Sequence, residues 1–216
     1  MEKNLDALYP FLREAAGERR RSDAALLHSV QAKARDSRDA NERFFAEQSM
    51  ALLAAARAIA DAYRAGGRLF TMGNGGSSCD AAHVAVEFQH PVTTGRAALT
   101  AINLAADIAL ISAVANDVGF EHVFVRQVIA LGRRGDVLLG LSTSGNSANL
   151  IAAFAKAREM SIATIGLAGG EGGRMKTCGL VDHCLVVPSD SIHRIQESHV
   201  TAYHILWDLV HVLLPR

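Results

Sequence analysis

Residues 68–88 read RLFTMGNGGSSCDAAHVAVEF, and residues 136–159 repeat the same plan as DVLLGLSTSGNSANLIAAFAKARE. Each opens on a short apolar run, crosses a cluster of Gly, Ser and Asn, and continues as a helical pattern. An apolar strand feeding a helix through a polar turn belongs to a parallel sheet, because crossover helices cover both sheet faces. Outward from these two units, ALTAINL (98–104), IATIGL (162–167) and HCLVV (183–187) supply three more runs of the same kind. Five units predict an α/β fold, a three-layer αβα sandwich on a five-stranded parallel sheet. A long Ala-rich amphipathic helix is expected over 41–65, closed by Gly66-Gly67 as a C-cap. A last helix is expected from about Ile192 to Leu213. Residues 1–40 are helical in composition but charged, and read as an N-terminal helical extension to a domain spanning 41–216. The helix over 41–65 is apolar on more than one face, which predicts an oligomer.

Composition narrows the function classes. A chain of 216 residues fits one domain and buries roughly 70% of its unfolded surface. Lys+Arg and Asp+Glu balance at 22 each, so no global field draws in nucleic acid or anionic lipid. The basic run Arg19-Arg20-Arg21 reads as a solvated helix end. Cys79, Cys178 and Cys184 show neither C-x-x-C spacing nor a disulfide framework, which fits thiols in a reducing compartment. The start, MEKNLDALYP, has no apolar signal core. The apolar stretch Ala97–Ala115 is broken by Asn103 and Asp107 and reads as strand then helix, not a membrane span. The expectation is a cytoplasmic protein with no membrane and no nucleic-acid partner.

In open α/β sheets ligands bind beyond the carboxyl ends of the strands. Two loops are predicted there: Gly73-Asn74-Gly75-Gly76-Ser77-Ser78 and Ser142-Thr143-Ser144-Gly145-Asn146-Ser147. Glycines let backbone N–H groups approach a ligand, hydroxyls add donors, and the following helix N-terminus adds partial positive charge. N-capping by Ser or Asn is the plainer reading, but one cap accounts for one residue. Four hydroxyls within six residues suit a phosphate monoester held without a lysine. The alternatives fail on detail. The first loop is G-x-G-x-x-S with no acidic residue about 20 positions on, no G-K-[ST] occurs, and GLSTSG lacks the second glycine of a nucleophile elbow.

Ionisable groups gather near these loops. His83 and Glu87 lie four apart on the helix after the first loop, hence on one face, and suit a metal or an acid/base pair. The last helix carries Gln196, Glu197, His199 and His204, of which His199 reads as a structural histidine.

Taken in order, NGGSS-x-D-A-x-H-x3-E, the stretch Asn116-Asp117-Val118-Gly119-Phe120, STSGNS and R-I-Q-E-x-H-x4-H resemble the sedoheptulose 7-phosphate (phosphoheptose) isomerases of the sugar isomerase (SIS) domain superfamily. The resemblance runs from about residue 41 to the C-terminus. It implies a flavodoxin-like SIS fold in a homotetramer with sites at subunit interfaces. It further implies conversion of sedoheptulose 7-phosphate to a D-glycero-D-manno-heptose 7-phosphate, an early step toward lipopolysaccharide heptose. By position, His83, Glu87, Gln196 and His204 match the family's zinc ligands, and Glu87 and His204 its acid/base pair. Asn74, Gly75, Gly76, Ser77, Glu87, Asn116, Asp117, Ser142, Thr143, Ser144, Ser147 and Gln196 match its substrate contacts. Aldose–ketose exchange through a cis-enediol needs a base for the C–H proton and an acid for the oxygens, and Glu and His suit those jobs.

Gln196 and His204 are eight apart, roughly 12 Å along an unbroken helix, too far to share one metal. The helix is therefore expected to begin after Gln196, or two chains to build each site. After Glu87 the chain departs from the family pattern, reading Phe88-Gln89-His90-Pro91-Val92, so another sugar phosphate is an open alternative. A related scaffold of the bacterial replication initiator is the rival reading. It lacks the helix glutamate and final histidine, whereas Glu87 and His204 are both present here. A sugar-phosphate-sensing regulator is a third, with no DNA-binding domain to support it.

Overall fold

The computed structural model describes residues 22–214; the Arg19-Arg20-Arg21 cluster lies outside them. In chain order the elements are α1 (Asp23–Arg64), β1 (Leu69–Gly73), α2 (Gly76–Gln89), β2 (Ala101–Asn103), α3 (Ile108–Asp117), a 3₁₀ turn (Phe120–His122), α4 (Val125–Leu131), β3 (Val137–Ser142), α5 (Ala148–Glu159), β4 (Ala163–Gly169), α6 (Gly173–Thr177), β5 (His183–Val187) and α7 (Ile192–Leu213). All five expected strands form. The first helix differs: it starts at Asp23 rather than Asn41. Its sequence holds no Gly or Pro that would stop it, and the Ser22 hydroxyl accepts from the Ala25 N–H at 3.3 Å, capping that start. Its end matches expectation, with Gly66 in the left-handed region and Gly67 N–H bonded to the Ala62 carbonyl. Residues 22–35 form one packing unit, a run of helix, and residues 36–214 another, which holds the sheet.

The sheet is wholly parallel, in the order β2-β1-β3-β4-β5. Strand alternation divides the core. Leu69, Val137, Leu139, Leu141, Ile165, Leu167, Leu185 and Val187 face α1, α2 and α7. Phe70, Met72, Leu138 and Val186 face α3, α4, α5 and α6. The chain leaves β1 for β2 on one side and returns to β3 on the other, so the strand order reverses between β1 and β3. At that switch point the crossovers that follow β1 and β3 depart to opposite faces and leave a crevice. Both glycine- and serine-rich loops leave from it, with Gly73 of β1 in register with Leu141 of β3. No helix of the described residues is long and apolar enough to cross a membrane.

His199 on α7 is fully buried and bonds the Ala168 carbonyl at 3.1 Å, while its Nδ1 has no partner. It is structural, as its sequence context suggested. Burial pushes its pKa down to about 4, below the unfolded value near 6.5. As pH falls the unfolded chain takes up this proton first, so stability is expected to drop between about pH 6.5 and pH 4, by ~1.4 kcal/mol per unit. Denaturant titrations across that window should show the acid slope shrink by about one proton in His199→Gln. An unchanged slope would place the acid sensitivity elsewhere.

Candidate active site

Close backbone approach shapes the first loop. A Cβ at Gly73 would stand 2.2 Å from the Ser77 carbonyl oxygen, so α2 starts hard against the end of β1 only because residue 73 has no side chain. Gly75 is the N-cap of α2, and no side chain caps that helix start. The Ser78 hydroxyl turns back to the Gly75 carbonyl at 2.6 Å, and Ser77 is buried. In the second loop Ser147 is the N-cap of α5, yet its hydroxyl caps nothing; it meets the Ser142 hydroxyl at 3.1 Å. The capping reading of these serines therefore does not hold. Ser144 accepts from the Asn146 N–H at 3.2 Å. The loop is braced from behind: the Met175 N–H reaches the Gly145 carbonyl at 2.9 Å and the Arg174 N–H the Asn146 amide oxygen at 2.9 Å. A Cβ at Gly145 would fall 2.1 Å from the Gly172 carbonyl oxygen.

The two loops are tied together. Asn74 and the buried Asn149 exchange reciprocal amide hydrogen bonds, both 2.9 Å. Asn149 was not singled out from sequence. An Asn two residues into a helix has no local signature, and only strand order reveals that it faces Asn74.

Below the loops α2 and α7 run side by side in the same direction with a constant register. The Gln196 amide stands over Gly76, where a Cβ would lie 2.2 Å from Nε2. Tyr203 bonds His83 at 2.9 Å, and the Trp207 indole N–H donates to the Glu87 carbonyl at 2.7 Å. Each pair is separated by the same 120 positions. This register brings His204 beside His83, their rings 5.0 Å apart. His83, Glu87 and His204 form a cluster whose donor atoms all lie within 4.8 Å of one another. Within it His83 Nε2 meets Glu87 Oε1 at 3.1 Å. Two imidazoles and a carboxylate are donors zinc accepts in three-protein-ligand sites, so these residues fit a divalent metal. Around the cluster, burial pushes the Asp80 carboxyl up, partly offset by His83, and pushes the Tyr203 phenol up with help from Asp80 and Glu87.

Other expected residues are placed differently. The last helix is regular from Ile192, so it does not begin after Gln196. The Ser191 hydroxyl, as N-cap, accepts from the Arg194 N–H and fixes that earlier start. Gln196 consequently sits with the first loop, about two turns from the level of His83 and His204. Asn116 and Asp117 end α3, exposed and bonded to each other at 2.9 Å. Among the described residues no hydrogen bond joins them to either loop. The departure after Glu87 is partly structural: Phe88 is in the core, and the Gln89 amide donates to the Ala101 carbonyl at 2.7 Å.

The Asn74–Asn149 exchange gives a direct test. Removing one partner strands the other, so Asn149→Ala should cost about 1–3 kcal/mol in denaturant unfolding. The double variant with Asn74→Ala should cost clearly less than the two singles summed. Strict additivity would show the loops to be independent.

The SIS domain profile matches residues 34–169. The phosphoheptose isomerase of Roseiflexus sp. is 44% identical over 175 residues, covering 80% of this chain and 86% of its own. That of Desulfovibrio desulfuricans is 46% identical over 189 residues, covering 87% and 88%. Among solved structures, the phosphoheptose isomerase GmhA from Neisseria gonorrhoeae superposes with a TM-score of 0.80 at 36% identity, covering 86% of this chain and 98% of its own. The sugar isomerase domain of an RpiR transcription factor from Sphaerobacter thermophilus, 16% identical with a TM-score of 0.59 over 85% of this chain and 89% of its own, shares the fold alone. With an SIS sheet, two loops at its switch point and a His/Glu/His cluster beside them, the chain belongs to the phosphoheptose isomerase family of SIS-domain proteins.

Proposed function

We propose that this chain interconverts sedoheptulose 7-phosphate and D-glycero-D-manno-heptose 7-phosphate through a cis-enediol, with Glu87 and His204 as its acid/base pair. The observation that carries the reading is the convergence of Glu87 and His204, from α2 and α7, on one cluster with His83. A replication-initiator scaffold has no use for that convergence. The names of the relatives support a phosphosugar as substrate. Ser142, Thr143, Ser144 and Ser147 receive the phosphate at the α5 N-terminus, where hydroxyl donors and the helix dipole act together. Asn74, Gly75, Gly76 and Ser77 line the path from there toward the cluster and bind sugar hydroxyls.

Glu87 removes the proton from C1 of the ketose while His204 protonates the C2 oxygen, giving the enediol. Glu87 then returns a proton to C2 as the C1 oxygen gives its own to His204, which restores both groups and yields the aldose. Glu87 would hold a metal through one carboxylate oxygen and keep the other for the proton, and His204 would hold it through one ring nitrogen and present the N–H of the other to the sugar oxygen. Zinc held by His83, Glu87 and His204 would polarise the reacting oxygens.

The fourth ligand, Gln196, comes on this reading from a second copy of the chain. The regular helix holds the chain's own Gln196 about 12 Å from its own His204. Exposed Met50, Val86, Ile205 and Val212 on α1, α2 and α7 support a face covered by other copies, as in a homotetramer. Asn116 and Asp117, unconnected to the loops in their own chain, are assigned to a neighbour's substrate.

Purified zinc-loaded protein should turn over sedoheptulose 7-phosphate. Glu87→Gln should lower kcat by about 10²–10⁴-fold with an unchanged melting curve. Failure of the wild type on every C5 to C7 ketose phosphate tested would overturn the isomerase assignment.

A further inference from the structure

The geometry points to Tyr203 as a positioning residue that sets which ring nitrogen of His83 faces the metal cluster, a role resting on the zinc reading above. The phenol sits one residue before His204 on α7 and is 1% exposed. Its hydroxyl engages His83 Nδ1 at 2.9 Å, while His83 Nε2 faces Glu87 at 3.1 Å. The Tyr203 ring also packs edge-on against His83, centroids 5.4 Å apart, and tilted against His204 at 4.8 Å. Both nitrogens of His83 are thus committed, and only Nε2 is turned toward the cluster.

A neutral imidazole carries one N–H and one lone pair. For Nε2 to hold a metal, Nδ1 must carry the hydrogen and donate it, and metal-bound histidines generally have an acceptor at that position. Here the acceptor is a hydroxyl, which can either give or take a hydrogen bond. Without metal, Nε2–H points to Glu87 and the phenol donates to Nδ1. With metal on Nε2, Nδ1–H donates to the phenol oxygen and the phenol must turn its own hydrogen elsewhere. On this reading the acceptor is Asp80, whose Oδ2 is buried without a hydrogen-bond partner. Asp80 lies three residues before His83 on the same face of α2. An acceptor-only group at position 203 would fix one tautomer, and phenylalanine would fix neither.

Two readouts test this. In wild-type protein labelled with ¹⁵N-histidine, zinc should leave His83 protonated at Nδ1 and metal-bound at Nε2, the reverse of its metal-free tautomer. In Tyr203→Phe, zinc affinity measured by chelator competition should fall about 10–100-fold, with the melting curve retained. Zinc attached through Nδ1, or a folded Tyr203→Phe with wild-type zinc affinity, overturns the assignment. If Tyr203→Phe does not fold, the wild-type tautomer decides alone. A wild-type protein that takes up no zinc overturns the metal reading and this role with it. Zinc bound by the wild type with normal affinity in the variant overturns this role only.

Discussion

The parallel, in-register packing of α2 against α7 is the constraint on which the rest depends. Each helix returns beneath the sheet from the carboxyl end of a parallel strand, so the two point the same way. Gly76 lets the Gln196 side chain close the top of the seam. The Tyr203–His83 and Trp207–Glu87 hydrogen bonds fix it lower down. A slip of one residue along either helix would rotate a side chain by about 100° and remove it from the cluster. Sliding is opposed by the buried apolar face of α7, where Ile195, Ala202, Leu206 and Val210 join the core shared with α1 and the sheet.

The switch point between β1 and β3 adds the second half of the site. It places two loops side by side, and the Asn74–Asn149 exchange keeps them there. On the proposed reading, a phosphate at the serine-rich loop and a metal at the helices would stand on different parts of one frame. A sugar phosphate bound this way would place its anionic end at a helix N-terminus and its carbonyl end at acid/base groups. The enzyme reading draws its strength from this division of labour, because neither loop nor cluster alone specifies a reaction.

Much of this was legible in sequence for local reasons. Strands announced themselves as apolar runs, and the loops as glycine and hydroxyl clusters between periodic segments. His83 and Glu87 share a helix face by spacing alone. The charged extension was legible as helical from its composition, and residues 23–40 are helical; what was not legible is that they run without a break into the helix over 41–65. The spacing of Gln196 and His204 pointed either to a helix that begins after Gln196 or to a site built by two chains. Ser191 instead starts the helix earlier and leaves Gln196 at the loop. Asn149 and Tyr203 could not be found, because their partners lie 75 and 120 positions away and local pattern carries no information about such pairings.

The central claim is that Glu87 moves a proton between carbon atoms of a sugar phosphate at this cluster. Proton NMR of sedoheptulose 7-phosphate in D₂O with the zinc-loaded protein tests it most directly. The account predicts deuterium at C2 of the aldose product with wild type, and neither product nor exchange at C1 with Glu87→Gln. Undiminished product formation or undiminished exchange in Glu87→Gln would contradict it.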